Sequence, residues 1–233
     1  MGNRLDSAEF ARTVAASDGY DDDPAASLCL ACLDALPVTG AGLVLMSGDR
    51  SLDFIAVSDD VSESVQQMEY TMGEGPCVSA YEKRVPVFDA DLGDDRTTEW
   101  PEFRRVALAA GIHAAFGFPL RIGRTCIGAL NLYSEHAGSL SEGQTADAVV
   151  VAEFATRAVL AWQAAAPNGK LAWQLNQGGN HGIEVHQATG RIAQQVGISI
   201  DDALALLRAY AFAHDRTISD VATEVASGHL RLD

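Results

Sequence analysis

Basic residues are scarce in this sequence of 233 residues, which contains 16 Lys and Arg against 32 Asp and Glu. The formal net charge is therefore −16. Proteins that bind nucleic acid over a broad surface draw their affinity from clusters of Lys and Arg that displace phosphate counterions. The composition excludes such a surface, so any contact with nucleic acid must come from a local patch.

Cysteine is also sparse, with four residues at Cys29, Cys32, Cys77 and Cys126. Four cysteines in a chain of this length do not make a disulfide framework, and a reducing compartment would keep them as thiols. Cys29 and Cys32 form a C-x-x-C pair, but a metal site needs two further ligands at compatible spacing, and none is nearby in the sequence. Because the pair falls in a predicted helix, we expect buried thiols and no metal site.

Long apolar runs are missing too. No eighteen-residue apolar run is free of charge, and the first six residues carry no apolar signal core. Neither a membrane span nor an export signal is indicated. The apolar fraction of 48% is still ample for packed cores. We expect a cytoplasmic protein with one large or two small domains and no membrane partner.

The first two thirds of the chain alternate between strand and helix patterns. Residues 1–23 are polar and predict a short helix or a disordered segment. A helix follows Asp23 and Pro24, which form an N-terminal helix signal. Two β-like runs at 41–47 and 52–58 predict a hairpin around residues 48–50. Further patterns predict helices at 59–68 and 102–110 and strands at 85–88, 114–120 and 125–133. This order favours an α+β domain around an antiparallel sheet flanked by helices.

Several motifs in this part resemble the GAF domain, a sensor fold. They are the loop Gly73-Glu74-Gly75-Pro76-Cys77, the strand Val85-Pro86-Val87, and a terminal hairpin with Pro119-Leu120 and Ile127–Leu130. The resemblance covers about residues 24–163, and we assign residues 24–166 to a GAF-like sensor domain. It implies an enclosed pocket for a small molecule. The expected lining, although each residue would serve equally well in a core, is Phe54, Cys77, Phe88, Trp100, Phe116 and Phe118.

The identity of a ligand does not follow from these residues. The signature of cyclic-nucleotide-binding GAF domains is not recognisable, and Cys77 lacks the context for attaching a bilin. His113 is a candidate axial ligand for haem, but a lone histidine is more often structural. No cofactor is identifiable, and an unknown small-molecule ligand remains the expectation.

A long helix is predicted at residues 141–166, capped by Ser141 and Gln144. It is apolar on nearly all sides, so it must be buried on two faces. We expect one face on the sheet and the other against the same helix of a second chain, in a homodimer. The alternative is that the C-terminal helices fold back onto it. A linker follows at 167–182, in which Pro167 ends the helix and residues 170–177 resume a helical pattern.

The C-terminal residues 183–230 predict three short amphipathic helices. Ser199 with Asp202 and Thr217 with Asp220 are capping-box patterns, and Gly197 is predicted to end the first helix. Ile200, Ala203, Leu204, Leu207 and Ala211 share one helix face. Fifty such residues bury little core alone, so we expect this helical module to pack on another part of the protein.

The helical module resembles the ANTAR domain of bacterial transcription antitermination regulators. The matching residues are the run Glu184–Gly190, then Asp202-Ala203-Leu204 with Leu207-Arg208 and Ala211, then Asp220-Val221-Ala222. The resemblance implies a three-helix module that binds paired RNA stem-loops as a dimer. Its expected RNA contacts are Arg191, Arg208, Arg216 and His186. From Leu175 onward, however, four basic residues face seven acids, a charge of −3.

Together these features predict a signal-responsive transcription antitermination regulator, in which a GAF-like sensor controls an RNA-binding module. The alternative is a protein–protein interaction regulator whose acidic module has lost RNA binding. A third possibility is an enzyme using Cys77 in the manner of GAF-like methionine sulfoxide reductases. No nucleophile–base spacing supports catalysis, so we expect a binding protein. Its expected partners are structured RNA and a second copy, and another protein is a further candidate.

Overall fold

The computed structural model describes residues 5–17, 23–46, 52–165, 181–214 and 216–232. The side chains of residues 52–54 and 181–183 lie outside this description. The predicted turn at 48–50 and most of the predicted linker, including the helical pattern at 170–177, also lie outside the described residues.

Strands and helices follow one another in nearly the predicted order. The strands are β1 (Gly40–Met46), β2 (Leu52–Val57), β3 (Val87–Asp89), β4 (Ala114–Ile122) and β5 (Thr125–Ser134). The helices of the α+β domain are α1 (Ser7–Ala16), α2 (Pro24–Ala35), α3 (Asp60–Met72), α4 (Pro76–Lys83), α5 (Pro101–Ala109) and α6 (Glu142–Ala165). The C-terminal helices are α7 (His181–Val196), α8 (Ile200–Ala213) and α9 (Ile218–Ser227).

The five strands form one sheet in the order β2-β1-β5-β4-β3, and every neighbouring pair is antiparallel. This confirms the predicted fold class for the α+β domain. Helix α3 differs from the prediction because it continues one turn further, to Met72. That extra turn is stabilised by burial of Tyr70 and Thr71, and it ends at Gly73, whose φ of 68° is left-handed.

One face of the sheet is covered by α1, α2 and α6. Its core includes Leu28, Leu43, Phe116, Phe118, Leu130, Leu132, Val151 and Ala155. The N-terminal segment is helical at α1, where the Asp6 side chain caps the first turn. Phe10 of α1 packs edge-on against Phe154 of α6, with ring centroids 5.2 Å apart. Helix α1 therefore covers part of the second apolar side of α6.

Helix α6 is long and apolar enough to cross a membrane, by length and composition alone. Core helices of folded domains meet the same criterion, and Ala148, Val151 and Val159 of α6 are buried in the same core as the sheet.

The other face of the sheet is covered by α3, α4 and α5, and beside them by the helical module. Arg104 of α5 forms a buried ion pair with Asp89 at the end of β3. The same guanidinium donates to the carbonyl oxygens of Asp91 and Asp94, at 3.1 and 2.9 Å. One arginine thus holds the acidic loop that follows β3.

The three C-terminal helices have the predicted caps and share a core. Ser199 accepts from the Asp202 N–H and Thr217 from the Asp220 N–H. The core of the helical module is continuous with Val44, Tyr70, Cys77 and Val78 of the α+β domain. The module contacts α3 and β2. The alternative prediction that it folds back onto α6 is therefore wrong, because its apolar faces are buried on the opposite side of the sheet.

Candidate ligand-binding site

The buried face of α3 is unusually polar. Ser62, Gln66 and Glu69 follow one another at intervals of four and three residues, so they share the helix face turned to the sheet. Their exposed fractions are 1%, 1% and 0%. Room for Gln66 comes from Gly42 on β1, where a Cβ atom would overlap with the Gln66 side-chain amide. A helix–sheet contact that is normally apolar is therefore built from amide and carboxyl groups.

Glu69 is the centre of this contact. Its Oε1 accepts from the backbone N–H of Cys77 at 3.0 Å. Its Oε2 accepts from Asn131 Nδ2 at 2.7 Å and from the Tyr133 hydroxyl at 3.0 Å. Donors from α4 and β5 thus converge on one carboxyl group of α3, which ties the helix to both elements.

Burial dominates the acid–base chemistry of these groups. It raises the pKa of Glu69 to about 7, although the hydrogen bonds from Cys77, Tyr133 and Asn131 act in the lowering direction. Burial, followed by the neighbouring Glu69 carboxylate, also raises the pKa of the Cys77 thiol and of the Tyr133 hydroxyl. Near neutral pH the cluster therefore exchanges its proton at Glu69, while the thiol and the phenol stay protonated.

Three buried polar atoms of the two side-chain amides beside Glu69 lack hydrogen-bond partners among the described residues. These atoms are Nε2 and Oε1 of Gln66 and Oδ1 of Asn131. Gly42, beneath the Gln66 amide, is paired directly with Asn131 across β1 and β5, so the two amides are neighbours. Burying polar atoms without partners is costly, which points to a site that is completed by another molecule. We call Gln66, Glu69, Cys77, Asn131 and Tyr133 the polar seam.

The loop Gly73–Cys77 supports the seam. Gly75 has a φ of 138°, and a Cβ atom there would overlap with the Glu69 side chain. Only glycine combines that backbone conformation with the close approach. The neighbouring Glu74 accepts from the N–H groups of Glu102 and Phe103, at 2.9 and 3.1 Å, and so caps α5. The loop thus connects α3, α4 and α5 around the seam.

The six residues predicted to line the pocket do not come together. Phe116 and Phe118 lie in the core beneath α2 and α6, and the half-exposed Phe88 packs against both rings. Cys77 and Trp100 lie on the opposite face of the sheet. The side chain of Phe54 lies outside the described residues. The prediction of one aromatic pocket is wrong because Phe116 and Phe118 share the sheet face covered by α2 and α6, whereas Cys77 and Trp100 belong to segments packed on the other face. Only Cys77 of the six belongs to the polar seam.

The three arginines predicted to contact RNA donate hydrogen bonds to other groups of the protein. Arg208 Nε donates to the Tyr70 carbonyl oxygen at the end of α3, at 3.2 Å. Arg191 donates to the carbonyl of Ala226, at 3.0 Å. Arg216 makes two hydrogen bonds to Glu224, at 2.9 and 3.1 Å. His186 is exposed on α7. The role of these four residues in RNA binding stays a prediction.

The remaining candidates from the sequence lie away from the seam. His113, considered for haem, is exposed at the start of β4. Cys29 and Cys32 are buried thiols in α2, and burial raises the pKa of Cys32 to about 12. No cluster of three metal-ligating His, Cys, Asp or Glu side chains occurs among the described residues.

Two surface clefts lie outside the polar seam. One, of about 780 Å³, lies at the end of the β4–β5 hairpin and is lined in part by Arg84, Arg124 and Cys126. Another, of about 370 Å³, lies where α8 meets α3, between Gly73, Arg208 and Phe212. The second cleft shows that side chains do not fill all the space between α3 and α8.

Sequence reasoning missed Gln66, Glu69, Asn131 and Tyr133. A signal for them was present. The helical face with Ser62, Gln66 and Glu69 also carries the buried Val65, so the polar residues share a face with an apolar one. Asn131 is the one amide in an otherwise apolar stretch of β5, Ile127–Tyr133. Buried polar residues at core positions are candidates for function.

Residues 22–162 match the GAF domain family. The chain belongs to this family. The matched region contains the entire polar seam, so the seam lies within a GAF sensor domain. The match ends before the helical module, whose likeness to the ANTAR domain stays a prediction.

Solved structures support the GAF fold. The GAF domain of a phosphoenolpyruvate-protein phosphotransferase from Coxiella burnetii is 17% identical, with a TM-score of 0.51, over 68% of this chain and 93% of that one. The corresponding Acinetobacter domain is 14% identical, with a TM-score of 0.51, over 68% and 93%. Free methionine-R-sulfoxide reductase from Neisseria meningitidis, solved with its substrate, is 17% identical, with a TM-score of 0.50, over 69% and 89%. No curated protein matches the sequence.

Proposed function

We propose that this protein is a signal-responsive regulator in which the GAF domain senses a small molecule and controls the C-terminal helical module. The observation that supports this most directly is the position of α3. Its middle turns carry Gln66 and Glu69 of the polar seam, and its last turn carries Tyr70 and Thr71, which contact the module. One rigid helix thus connects the candidate ligand site to the output.

Two hydrogen bonds define the contact between α3 and the helical module. The Ile218 N–H at the start of α9 donates to Thr71 Oγ1, at 3.4 Å and buried. Arg208 lies against Gly73 and donates to the Tyr70 carbonyl at the negative end of the α3 dipole. A shift of the last turn of α3 would break both contacts and release the module.

For the output we propose RNA binding and transcription antitermination. The resemblance of the helical module to ANTAR domains supports this, and the contact at α3 explains how an acidic protein would keep the activity under control. While the helical module contacts α3, Arg208 donates to the Tyr70 carbonyl and that donor is not available to a phosphate. Release would free Arg208, next to the exposed end of α8 with Phe212, which is 43% exposed.

A protein partner is the second candidate for the output. Two contacts favour it: the Glu224 carboxylate neutralises Arg216, and the Ala226 carbonyl occupies one N–H donor of Arg191. In that case the released face of α8 would bind a protein surface. Both outputs use the same control contact.

A gel-shift assay with a tandem stem-loop RNA over a salt series tests the output. We expect the full chain to bind weakly, Thr71→Val to bind at least several-fold more tightly, and Thr71→Val combined with Arg208→Ala to lose that gain. Affinity should fall steeply with salt. If neither the parent nor Thr71→Val binds RNA at micromolar protein, RNA binding is wrong and the protein partner becomes the output.

We also propose a homodimer through α6, whose exposed face includes Leu160 and Ala161. Two copies would multiply a modest single-site RNA affinity. Native mass spectrometry of the full chain should show twice the monomer mass, and Leu160→Glu should return it to the monomer. Catalysis by Cys77 is disfavoured because its thiol is buried and its pKa is raised, whereas a nucleophile must ionise.

A further inference from the structure

We propose that the polar seam binds a small molecule with an ammonium group next to a carbonyl group, recognised by Gln66, Asn131 and Glu69. This inference rests on the sensor function proposed above, because it names the class of ligand for that sensor. It follows from three properties of the seam: the kind of hydrogen-bonding atoms left without partners, the charge of Glu69, and the burial of all of them.

The seam offers mainly acceptors. Among the described residues, Gln66 Oε1 and Asn131 Oδ1 accept no hydrogen bond, and both are buried. The Glu69 carboxylate lies next to them, since Asn131 Nδ2 donates to its Oε2. Two amide oxygens and a carboxylate together fit a group with several N–H donors, such as an ammonium. A carboxylate or phosphate ligand would instead face three acceptors.

The charge of the seam favours the same group. The titratable side chains that face Glu69 are Cys77 from α4 and Tyr133 from β5, and neither carries a positive charge. Arg208, from the module packed on α3, donates through Nε to the Tyr70 backbone, and it is not among the groups that shift the pKa of Glu69. Among the described residues nothing cationic balances an ionised Glu69. A cationic ligand would supply that charge and make ionisation of the buried carboxyl favourable.

One donor remains for the other end of the ligand. Gln66 Nε2 has no acceptor among the described residues. A carbonyl oxygen adjacent to the ammonium would accept a hydrogen bond from Gln66 Nε2. The ligand would then bond to both the oxygen and the nitrogen of the Gln66 amide. The amide lies directly over Gly42, against the backbone of β1. Because β1 occupies that side of the amide, the ligand must approach Gln66 from another side.

Glycinamide, which carries an ammonium next to a carbonyl, is the probe. Glycolamide replaces the ammonium by a hydroxyl, and acetate tests for anion binding. Binding of each to the full chain is measured by calorimetry and by the shift in Tm, at pH 7.0 and pH 5.5. We expect glycinamide to bind at pH 7.0 and both other probes to bind at least tenfold more weakly. Affinity for glycinamide should fall more than tenfold at pH 5.5, because Glu69 is then protonated.

Gln66→Met tests the recognition residue, and Gln67→Met, on the neighbouring and less buried position of α3, is the matched control. Gln66→Met removes an unpaired buried amide, so its own Tm should equal or exceed that of the parent. It should nevertheless lose glycinamide binding at least tenfold. Gln67→Met should bind as the parent does. A folded Gln66→Met protein without binding excludes misfolding as the cause.

The proposal is overturned if the parent does not bind glycinamide at tens of millimolar, if glycolamide binds equally well, or if Gln66→Met binds like the parent. Deuterium exchange at the start of α9, measured with and without glycinamide, distinguishes failure of the ligand proposal from failure of the proposed control of the module. If glycinamide binds but exchange near Ile218 does not change, the ligand class stands and control of the module fails.

Discussion

Asn131 on β5 donates a 2.7 Å hydrogen bond to Glu69 on α3, in a place where neither side chain is exposed to solvent. The two residues are 62 positions apart in the chain. Their contact fixes α3 on the sheet. It also places a proton-exchanging carboxyl one residue before the turn of α3 that holds the helical module.

Stability should depend on pH through Glu69. Its folded-state pKa is raised from 4.5 to about 7, so the folded protein binds the proton more tightly than the unfolded chain. The stabilisation is therefore fully present below about pH 4.5 and is lost as the pH rises toward 7, a loss of about 3 kcal/mol. Denaturant unfolding of the parent and of Glu69→Gln at several pH values measures it. The decline in the free energy of unfolding should be absent in Glu69→Gln and present in the exposed control Glu63→Gln. If Glu69→Gln shows the same dependence on pH as the parent, Glu69 is not the group responsible.

Gly75→Ala should destabilise the GAF domain by about 2 kcal/mol or more. The residue must hold a φ of 138°, and its new Cβ atom would overlap with Glu69. Gly138 is the matched control, because a Cβ atom there meets nothing within 4 Å. Urea unfolding compares the two variants. Equal stabilities would mean that the loop relaxes and that Gly75 does not constrain the seam.

Arg104→Ala should cost about 3–5 kcal/mol, because it leaves Asp89 buried without its partner. The adjacent Arg105 pairs with Glu102 on the surface, and Arg105→Ala should cost less than about 1 kcal/mol. Thermal and denaturant unfolding of both variants distinguish a buried from an exposed ion pair. A small loss for Arg104→Ala would show that the acidic loop is held by other contacts.

Thiol reagents should modify Cys126 first in the folded protein. Cys126 is the one partly exposed cysteine of the four, and Cys29, Cys32 and Cys77 are buried. A chromogenic disulfide reagent should release about one equivalent before unfolding and four after it. Cys126→Ser should remove the fast equivalent, whereas Cys77→Ser should leave it. Fast labelling of Cys77 would show that the seam opens to solvent and would reopen the enzymatic alternative.

Thr71→Val should loosen the helical module without unfolding it. Valine has nearly the shape of threonine but cannot accept the hydrogen bond from the Ile218 N–H. Deuterium exchange at the start of α9 should rise several-fold, while exchange in β5 stays as in the parent. Ser227→Ala, at the far end of α9, is the control. Unchanged exchange near Ile218 would show that Thr71 does not hold the module.

Most of the fold could be predicted from local patterns. Asp23 before Pro24 caps α2, Ser199 caps α8 and Thr217 caps α9, because caps need only residues within one turn. The strand patterns predicted an antiparallel sheet. The structure adds which strands lie next to each other. The end of α3 was missed by one turn because its last residues are stabilised by burial against distant parts of the chain.

The candidate site could not be predicted in the same way. Phe116 and Phe118 were expected in a ligand pocket, and their alternation along β4 correctly placed them on one face of the sheet. Which face carries the site depends on where α3 and α6 pack. Similarly, the sequence predicts Arg208 as a surface residue. Only the structure shows that it joins α8 to α3 through the Tyr70 carbonyl.

The amino-acid order alone thus dictates the helices, the strands, their caps and the low positive charge, since these depend on neighbouring residues and on composition. The meeting of Gln66, Glu69, Cys77, Asn131 and Tyr133 depends on the tertiary structure. Two segments far apart in the chain, residues 66–77 and β5, must pack together before these polar groups are buried side by side. Only there does burial raise the pKa of Glu69 and leave Gln66 Nε2, Gln66 Oε1 and Asn131 Oδ1 without partners among the described residues.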